Sequence, residues 1–148
     1  MLNQTVRMIE LAQQGFHCSQ ILVIMGLINQ GKTNSDLVRS VSGLAGGLGF
    51  SGDTCGALTG GACLLGLYAG RGEASEEEDP RLNLMIVELV EWFAGEYGRA
   101  FGGTRCETIL GNDPRNRTAR CPSLVLGVYE KVNALLVENG FDLAAGRP

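Results

Sequence analysis

The sequence TCGALTGGACLLGLYAG, residues 54–70, has no charged side chain in any of its 17 positions. It is shorter than the roughly 20 apolar residues that a membrane-spanning helix needs. We therefore predict a buried, glycine-rich helix over about residues 55–70, with Asp53 or Thr54 as its N-cap. Gly56 and Gly60 would share one face of this helix, where another backbone or a cofactor could come close.

Helical patterns also precede this stretch. The residues from Cys18 to Asn29 are strongly apolar, which fits either a buried helix or a parallel strand. Gly31 follows them at the position of a helix C-cap. Asn34 or Ser35 can cap a short third helix.

After the stretch, two longer helices are predicted. Asp79-Pro80 is a typical helix start, and apolar residues recur at helical spacing from there to Ala100. Residues 102–122 are polar and rich in turn signals, so we predict an irregular segment there. A last helix is expected over about residues 123–139, with Gly140 just beyond its end.

Length and composition predict a single all-α domain over residues 1–148, a bundle of about six helices around the glycine-rich one. The chain has 45% hydrophobic and 19% charged residues and a net charge of −4. This acidic balance does not favour a nucleic-acid partner. The N-terminus lacks a signal-peptide pattern, so we expect a cytoplasmic protein without a membrane span.

The cysteines are the most informative residues. The chain has five of them and no secretion signal. Cysteines at this density in a reducing compartment are typically ligands or redox groups rather than disulfide staples. No C-x-x-C pair occurs, so folding would have to assemble any site. Cys18 and Cys55 lie at predicted helix starts, whose partial positive charge lowers a thiol pKa. Cys106 and Cys121 follow arginines, Arg105 and Arg120, which also favour a thiolate.

Two other residues have simpler interpretations. Cys63 lies in the middle of the glycine-rich helix, and we interpret it as a small packing residue. His17 is the only histidine and adjoins Cys18. Adjacent residues do not face each other on a helix, so a polar residue at a helix end is favoured over a metal ligand or proton carrier.

Two glycine motifs resemble nucleotide-binding loops. Residues 26–33 read GLINQGKT, which matches the phosphate-binding pattern, with Lys32 and Thr33 as the key residues. Residues 47–52 match the dinucleotide pattern G-x-G-x-x-G. Neither has the strand–loop–helix context that such a motif needs, so we favour a helix end for the first and a flexible loop for the second.

One family resemblance covers nearly the whole chain. Cys18 in FHCSQ, GGLG at residues 46–49 leading to CGALTG at residues 55–60, Cys106 in FGGTRC, and Cys121 follow one another in order. This series resembles the redox-active family labelled C-GCAxxG-C-C. Here the central motif begins Cys-Gly rather than Gly-Cys, and Cys63 is not part of the pattern.

The resemblance implies a helical domain related to the non-haem part of split-Soret cytochromes, whose cysteines are ascribed an iron–sulfur cluster. It implies redox roles for Cys18, Cys55, Cys106 and Cys121, either as ligands or as dithiol/disulfide pairs. No C-x-x-C-H is present, so no covalent haem is expected.

Three functions follow from these observations. The first is an oxidoreductase or electron-transfer protein whose four cysteines bind an iron–sulfur cluster or form disulfides, and which serves a redox partner protein. The second is a non-catalytic module in which the same cysteines bind zinc. The third is a nucleotide-binding protein that depends on Lys32. A homodimer is one option for its assembly.

Overall fold

The computed structural model describes residues 2–147, and in this range it contains seven helices and no β-strand. The all-α prediction is therefore confirmed, and the apolar segment from Cys18 is a helix. A 3-10 turn, Val41–Leu44, follows the third helix. The helices are α1 (Leu2–Gln13), α2 (Cys18–Asn29), α3 (Ser35–Ser40), α4 (Gly56–Ala69), α5 (residues 81–101), α6 (Cys106–Leu110) and α7 (Asn116–Glu138).

The glycine-rich helix α4 is the centre of the fold and packs against α2, α5 and α7. Its glycines permit this close packing. A Cβ atom at Gly60 would lie 2.8 Å from Cα of Ser19 in α2, and one at Gly61 would lie 2.7 Å from a methyl group of Val128 in α7. Small residues thus let neighbouring helices approach α4 on two sides, which buries its apolar surface.

Helix α5 follows the predicted apolar pattern and begins one residue later than predicted. Pro80 is its N-cap, and the Asp79 carboxylate accepts a hydrogen bond from the Arg81 N–H at 2.9 Å. Its helical hydrogen bonding changes to a π-helical turn over Ala94–Gly98 before it ends. Residues at a spacing of three or four are buried in the core: Leu82, Met85, Leu89 and Phe93.

The prediction of an irregular segment over residues 102–122 is wrong in two places. The short helix α6 lies inside it, and α7 begins at Asn116 rather than at Ser123. The glycines and prolines of this segment indicate turns, and they obscured both helices. For α7 the misleading residue is Pro122, because a proline inside a helix is unfavourable. The turn itself is real, with Gly111 and Asn112 both at positive φ.

The predicted caps of α4 are also wrong. Its N-cap is Cys55, and the Cys55 side chain makes no capping hydrogen bond. The Asp53 carboxylate accepts a hydrogen bond from the Thr54 N–H instead, at 2.9 Å. In contrast, Gly31 and Gly140 have the left-handed conformation that ends a helix, as predicted.

Among the helices of residues 2–147, none combines the length and the apolar character needed to cross a membrane. The longest, α7, has 23 residues, but charged side chains occur near its start, past its middle and at its end.

Candidate functional site

Three of the predicted redox cysteines lie at helix N-termini. Cys18 is the first residue of α2, Cys55 is the N-cap of α4, and Cys106 is the first residue of α6. Cys121 lies within α7, next to Pro122, and not in a loop as predicted. All four are free thiols. Cys55 is buried, and the other three are partly exposed.

A short antiparallel bridge joins the segments that carry Cys55 and Cys106. The bridge pairs Thr54 with Arg105. On one side of it the Cys55 N–H donates to the Thr104 carbonyl at 3.0 Å, and on the other the Cys106 N–H donates to the Asp53 carbonyl at 2.6 Å. The backbone therefore fixes these two cysteines as diagonal neighbours on one face of the bridge. Side chains in such diagonal positions are close enough to interact.

A left-handed turn covers Cys18. Residues 46–50 all have φ between 61° and 73°, including the non-glycine residues Leu48 and Phe50. The turn is closed by the Gly52 N–H, which donates to the Gly46 carbonyl at 3.0 Å. Left-handed backbone is costly for residues with a Cβ, so the turn stores strain beside the site. It directs the Gly46 N–H toward the Cys18 thiol.

Gly56 supplies the other wall around Cys18. A Cβ at Gly56 would lie 2.8 Å from Sγ of Cys18 and 2.9 Å from the Leu44 carbonyl oxygen. The close approach predicted for Gly56 and Gly60 is thus made by this chain's own segments, since Gly60 faces the Ser19 backbone. A cofactor role for the two glycines stays a prediction.

Cys18 and Cys106 link the four thiols electrostatically. The thiols of Cys18 and Cys106 both raise the pKa of Cys55, and both also raise the pKa of Cys121. Cys106 has the same effect on Cys18. Such coupling requires proximity inside a low-dielectric interior. Folding therefore brings Cys18 and Cys106 within electrostatic range of both Cys55 and Cys121, whereas no other thiol acts on the pKa of Cys63.

The prediction of low thiol pKa values is wrong for three of these residues. Burial is the largest effect and raises the pKa of Cys55 to about 12 and that of Cys121 to about 11. Burial also raises the pKa of Cys18, against the effect of the Ser19 and Gly46 N–H groups. At Cys55 the N–H groups of Ala57 and Leu58 act in the predicted direction but are outweighed. Desolvation of the charged thiolate thus exceeds the helix-end effect.

The arginines near the cysteines are mostly engaged elsewhere. Arg105 binds the carboxylates of Asp53 and Glu107, at 3.3 and 3.2 Å. Arg120 donates to the Ile109 carbonyl, and its guanidinium lies over the Phe101 ring. The expected stabilisation of thiolates by the arginines that precede Cys106 and Cys121 therefore has no support in these contacts.

Arg115 and Arg117 have different partners. Arg115 is paired with Asp113 at 2.8 Å. Arg117 stacks on the Phe50 ring, 5.2 Å from its centroid, and it lowers the pKa of Cys121, although burial and the other thiols have larger effects. Arg117 is thus a cation that acts on Cys121.

Among the described residues, the possible metal ligands do not converge at one point. In residues 2–147, no three His, Cys, Asp or Glu side chains are arranged so that they could hold a metal ion. Zinc and iron–sulfur sites need such a convergent set of ligands. The arrangement in this structure therefore does not fit either group, and the ligand role of the four cysteines stays a prediction from the sequence.

Cys63 and His17 occupy the positions that the simpler interpretations give them. Cys63 is half-buried and packs against the small apolar cluster of Val23, Leu27 and Val41. Only burial acts on its pKa, and it raises it. His17 is the exposed N-cap residue of α2, and its backbone N–H is capped by the Gln20 side chain at 3.1 Å. Its ring meets the edge of the Phe50 ring, with centroids 5.2 Å apart.

Neither nucleotide motif forms a phosphate loop. Residues 26–29 of the first motif are the last turn of α2, and Gly31 ends that helix. The second motif, residues 47–52, lies mostly in the left-handed turn and is followed by the bridge at Thr54, not directly by a helix. The third predicted function thus lacks its structural context.

Comparison with known proteins gives one match. A family model described as "Putative redox-active protein (C_GCAxxG_C_C)" matches residues 16–135. This range includes all four clustered cysteines. No match was found among curated proteins or among solved structures.

Proposed function

The chain belongs to the C-GCAxxG-C-C family of redox-active proteins, and on this premise we propose that it performs thiol–disulfide exchange through Cys18, Cys55, Cys106 and Cys121. The observation that carries the proposal is the backbone bridge that holds Cys55 and Cys106 as diagonal neighbours. The Cys18 thiol packs against Gly56, the first residue of the helix that Cys55 caps. Cys18 and Cys106 also act electrostatically on Cys121. Exchange requires two of these thiols to come into disulfide contact, whereas metal binding requires at least three converging ligands, and no three of the four cysteines are placed in that way.

The reaction balances without a further reagent. A protein thiolate attacks a sulfur of an incoming disulfide, forming a mixed disulfide and releasing one thiol. A second protein thiol then attacks the mixed disulfide and releases the other thiol. The protein dithiol loses two electrons and two protons, which the two released thiols carry, and the reverse reaction restores the dithiol. This is two-electron transfer by sulfur chemistry.

The electrostatic couplings between the thiols suggest two pairings. Cys18 and Cys106 are the two thiols that act on both Cys55 and Cys121. Cys55 would therefore pair with one of them and Cys121 with the other. A reducing compartment such as the cytoplasm would return the pairs to thiols between reactions.

The test is to map which cysteines form disulfides when the reduced protein is oxidised. The reduced, full-length chain is treated with a small disulfide, its remaining thiols are alkylated, and the disulfides are mapped by mass spectrometry. We expect disulfides only among the four cysteines, and Cys63 alkylated in every molecule. The variant Cys63→Ser is the matched control and should oxidise normally. Disulfides that involve Cys63, or none at all, would contradict the proposal.

The same preparation distinguishes the metal hypotheses. Iron with matching sulfide in anaerobically purified protein would replace the proposal with cluster-based electron transfer. Stoichiometric zinc whose removal unfolds the chain would replace it with the structural zinc module.

A further inference from the structure

A small cavity opens beside one of the four cysteines. Its volume is about 220 Å³, below the range usual for drug-sized ligands. Phe50 and Leu110 give it apolar walls, and Cys106 and Arg117 also line it. Cys18, Cys55 and Cys121 do not line it. A reagent in this cavity would therefore meet Cys106 before the other three thiols.

The charges around the cavity point to the type of ligand. Two carboxylates line it, and each is bound by an arginine: Glu107 by Arg105 at 3.2 Å, and Asp113 by Arg115 at 2.8 Å. Arg105 is shared with a second carboxylate, that of Asp53. Within residues 2–147, Arg117 forms no ion pair with an acidic side chain. Its guanidinium is the cation at the cavity that has no carboxylate of its own.

We propose that Cys106 is the thiol that reacts first, and that the cavity holds one half of a low-molecular-weight disulfide whose carboxylate is bound by Arg117. The Phe50 ring, on which Arg117 stacks, would contact the carbon chain of the ligand. This inference rests on the proposed exchange reaction, and it adds the first-reacting thiol and the substrate class.

The step follows the general exchange reaction. The Cys106 thiolate attacks the nearer sulfur of the substrate, a new S–S bond forms, and the outer half leaves as a thiol with the proton that Cys106 gave up. A neighbouring thiol of the group then attacks the Cys106 sulfur and expels the half that lies in the cavity. Cys106 thus passes the oxidation inward to thiols that do not line the cavity.

Two disulfides of matched length and opposite charge test this assignment. Dithiodipropionate carries two carboxylates, and cystamine carries two ammonium groups. The rate of thiol loss is measured with each disulfide, and the rate with the anionic one is divided by the rate with the cationic one. This ratio is then divided by the same ratio for a free small thiol, which removes the intrinsic difference in reactivity between the two disulfides. We expect the wild-type ratio to favour the anionic disulfide. Arg117→Gln should lower that ratio roughly threefold, the usual size of one exposed charge interaction.

A control and a second readout separate recognition from other effects. Arg7→Gln removes the same charge from α1, where Arg7 pairs with Glu10 and does not line the cavity, and should leave the ratio unchanged. Any effect of Arg117 on Cys121 acts on both probes and cancels in the ratio. Quenching at low conversion should place the first adduct on Cys106.

The outcomes are distinct. A first adduct on Cys18, Cys55 or Cys121, or a ratio that Arg117→Gln does not change, would overturn the inference. If the four cysteines still form disulfides in that case, the proposed function stands without it. If wild-type protein forms no disulfide among them, the proposed function itself fails.

Discussion

Cys55 and Cys106 are held in register by their own backbone, with the Cys55 N–H bonded to Thr104 and the Cys106 N–H bonded to Asp53. Because these bonds do not involve the thiols, replacing one sulfur leaves the register in place. Single cysteine variants are therefore suitable probes of the site.

Alkaline pH should destabilise the reduced protein through Cys55. Burial raises the pKa of this thiol from 9.0 to about 12, so the folded chain keeps the proton that the unfolded chain loses. The stabilisation is complete below pH 9 and is lost as pH rises toward 12. Between pH 8 and pH 10 we expect wild type to lose about 1 kcal/mol more than Cys55→Ser. Urea unfolding under reductant measures this, and an equal loss in both proteins would contradict it.

Gly56→Ala should displace Cys18. The new methyl group would overlap Sγ of Cys18 and the Leu44 carbonyl oxygen, which belong to two different segments. We expect a loss of roughly 1–3 kcal/mol in the free energy of unfolding, together with slower oxidation. The control is Gly66→Ala in the same helix, where no atom lies within 4 Å of the added carbon. This control should be neutral or stabilising, by up to about 1 kcal/mol. Similar losses for both variants would show that the contact with Cys18 is unimportant.

Gly47→Ala should disrupt the left-handed turn. Gly47 has φ +73°, and an added Cβ would collide with the backbone of Asp53, which accepts the hydrogen bond from Cys106. Gly49 has φ +61° with open space around it, so Gly49→Ala carries only the conformational cost of about 1 kcal/mol. We expect Gly47→Ala to be the more destabilised by several kcal/mol and to alkylate faster at Cys106. Equal urea midpoints for the two variants would refute this explanation.

Ser19→Ala should loosen the attachment of α2 to the 3-10 turn Val41–Leu44, which precedes the left-handed turn. Ser19 is fully buried, and its hydroxyl donates to the Val41 carbonyl at 2.9 Å. Its loss leaves a carbonyl unpaired, which costs about 1–3 kcal/mol. Ser40 makes a comparable bond to Leu37 at 2.7 Å on the exposed surface. Ser40→Ala should change the free energy of unfolding by less than about 0.5 kcal/mol. Thermal unfolding of both variants provides the comparison.

Local signals predicted the helix ends better than the helix starts near the site. Gly31 and Gly140 end helices because left-handed backbone favours glycine wherever it occurs. Asp53 fitted the rule for an N-cap, but the long-range bridge to Arg105 uses this segment, and the helix starts later. The start of α7 was missed because a local rule disfavours Pro122, whereas packing of Leu124, Val125 and Val128 keeps that segment helical.

For the cysteine site too, the local sequence predicted some features, and long-range contacts determined the rest. The sequence identifies four cysteines by order and context, and it separates them from Cys63. It does not reveal how deeply each thiol is buried, which depends on contacts between segments as distant as Gly46 and Cys18. The pKa prediction failed for this reason, and the cavity beside Cys106 could not be predicted, since its walls come from residues 46–52 and 106–117.

The wide spacing of the four cysteines has a consequence for biosynthesis. Cys18 and Cys55 emerge from the ribosome well before α7, which carries Cys121 and packs on α4, and Cys106 emerges shortly before it. A nascent chain therefore has separate thiols and no assembled group, and the complete set arises only when the last helix docks. Maturation and chemical competence would then coincide, so that the appearance of exchange activity would report the completion of folding.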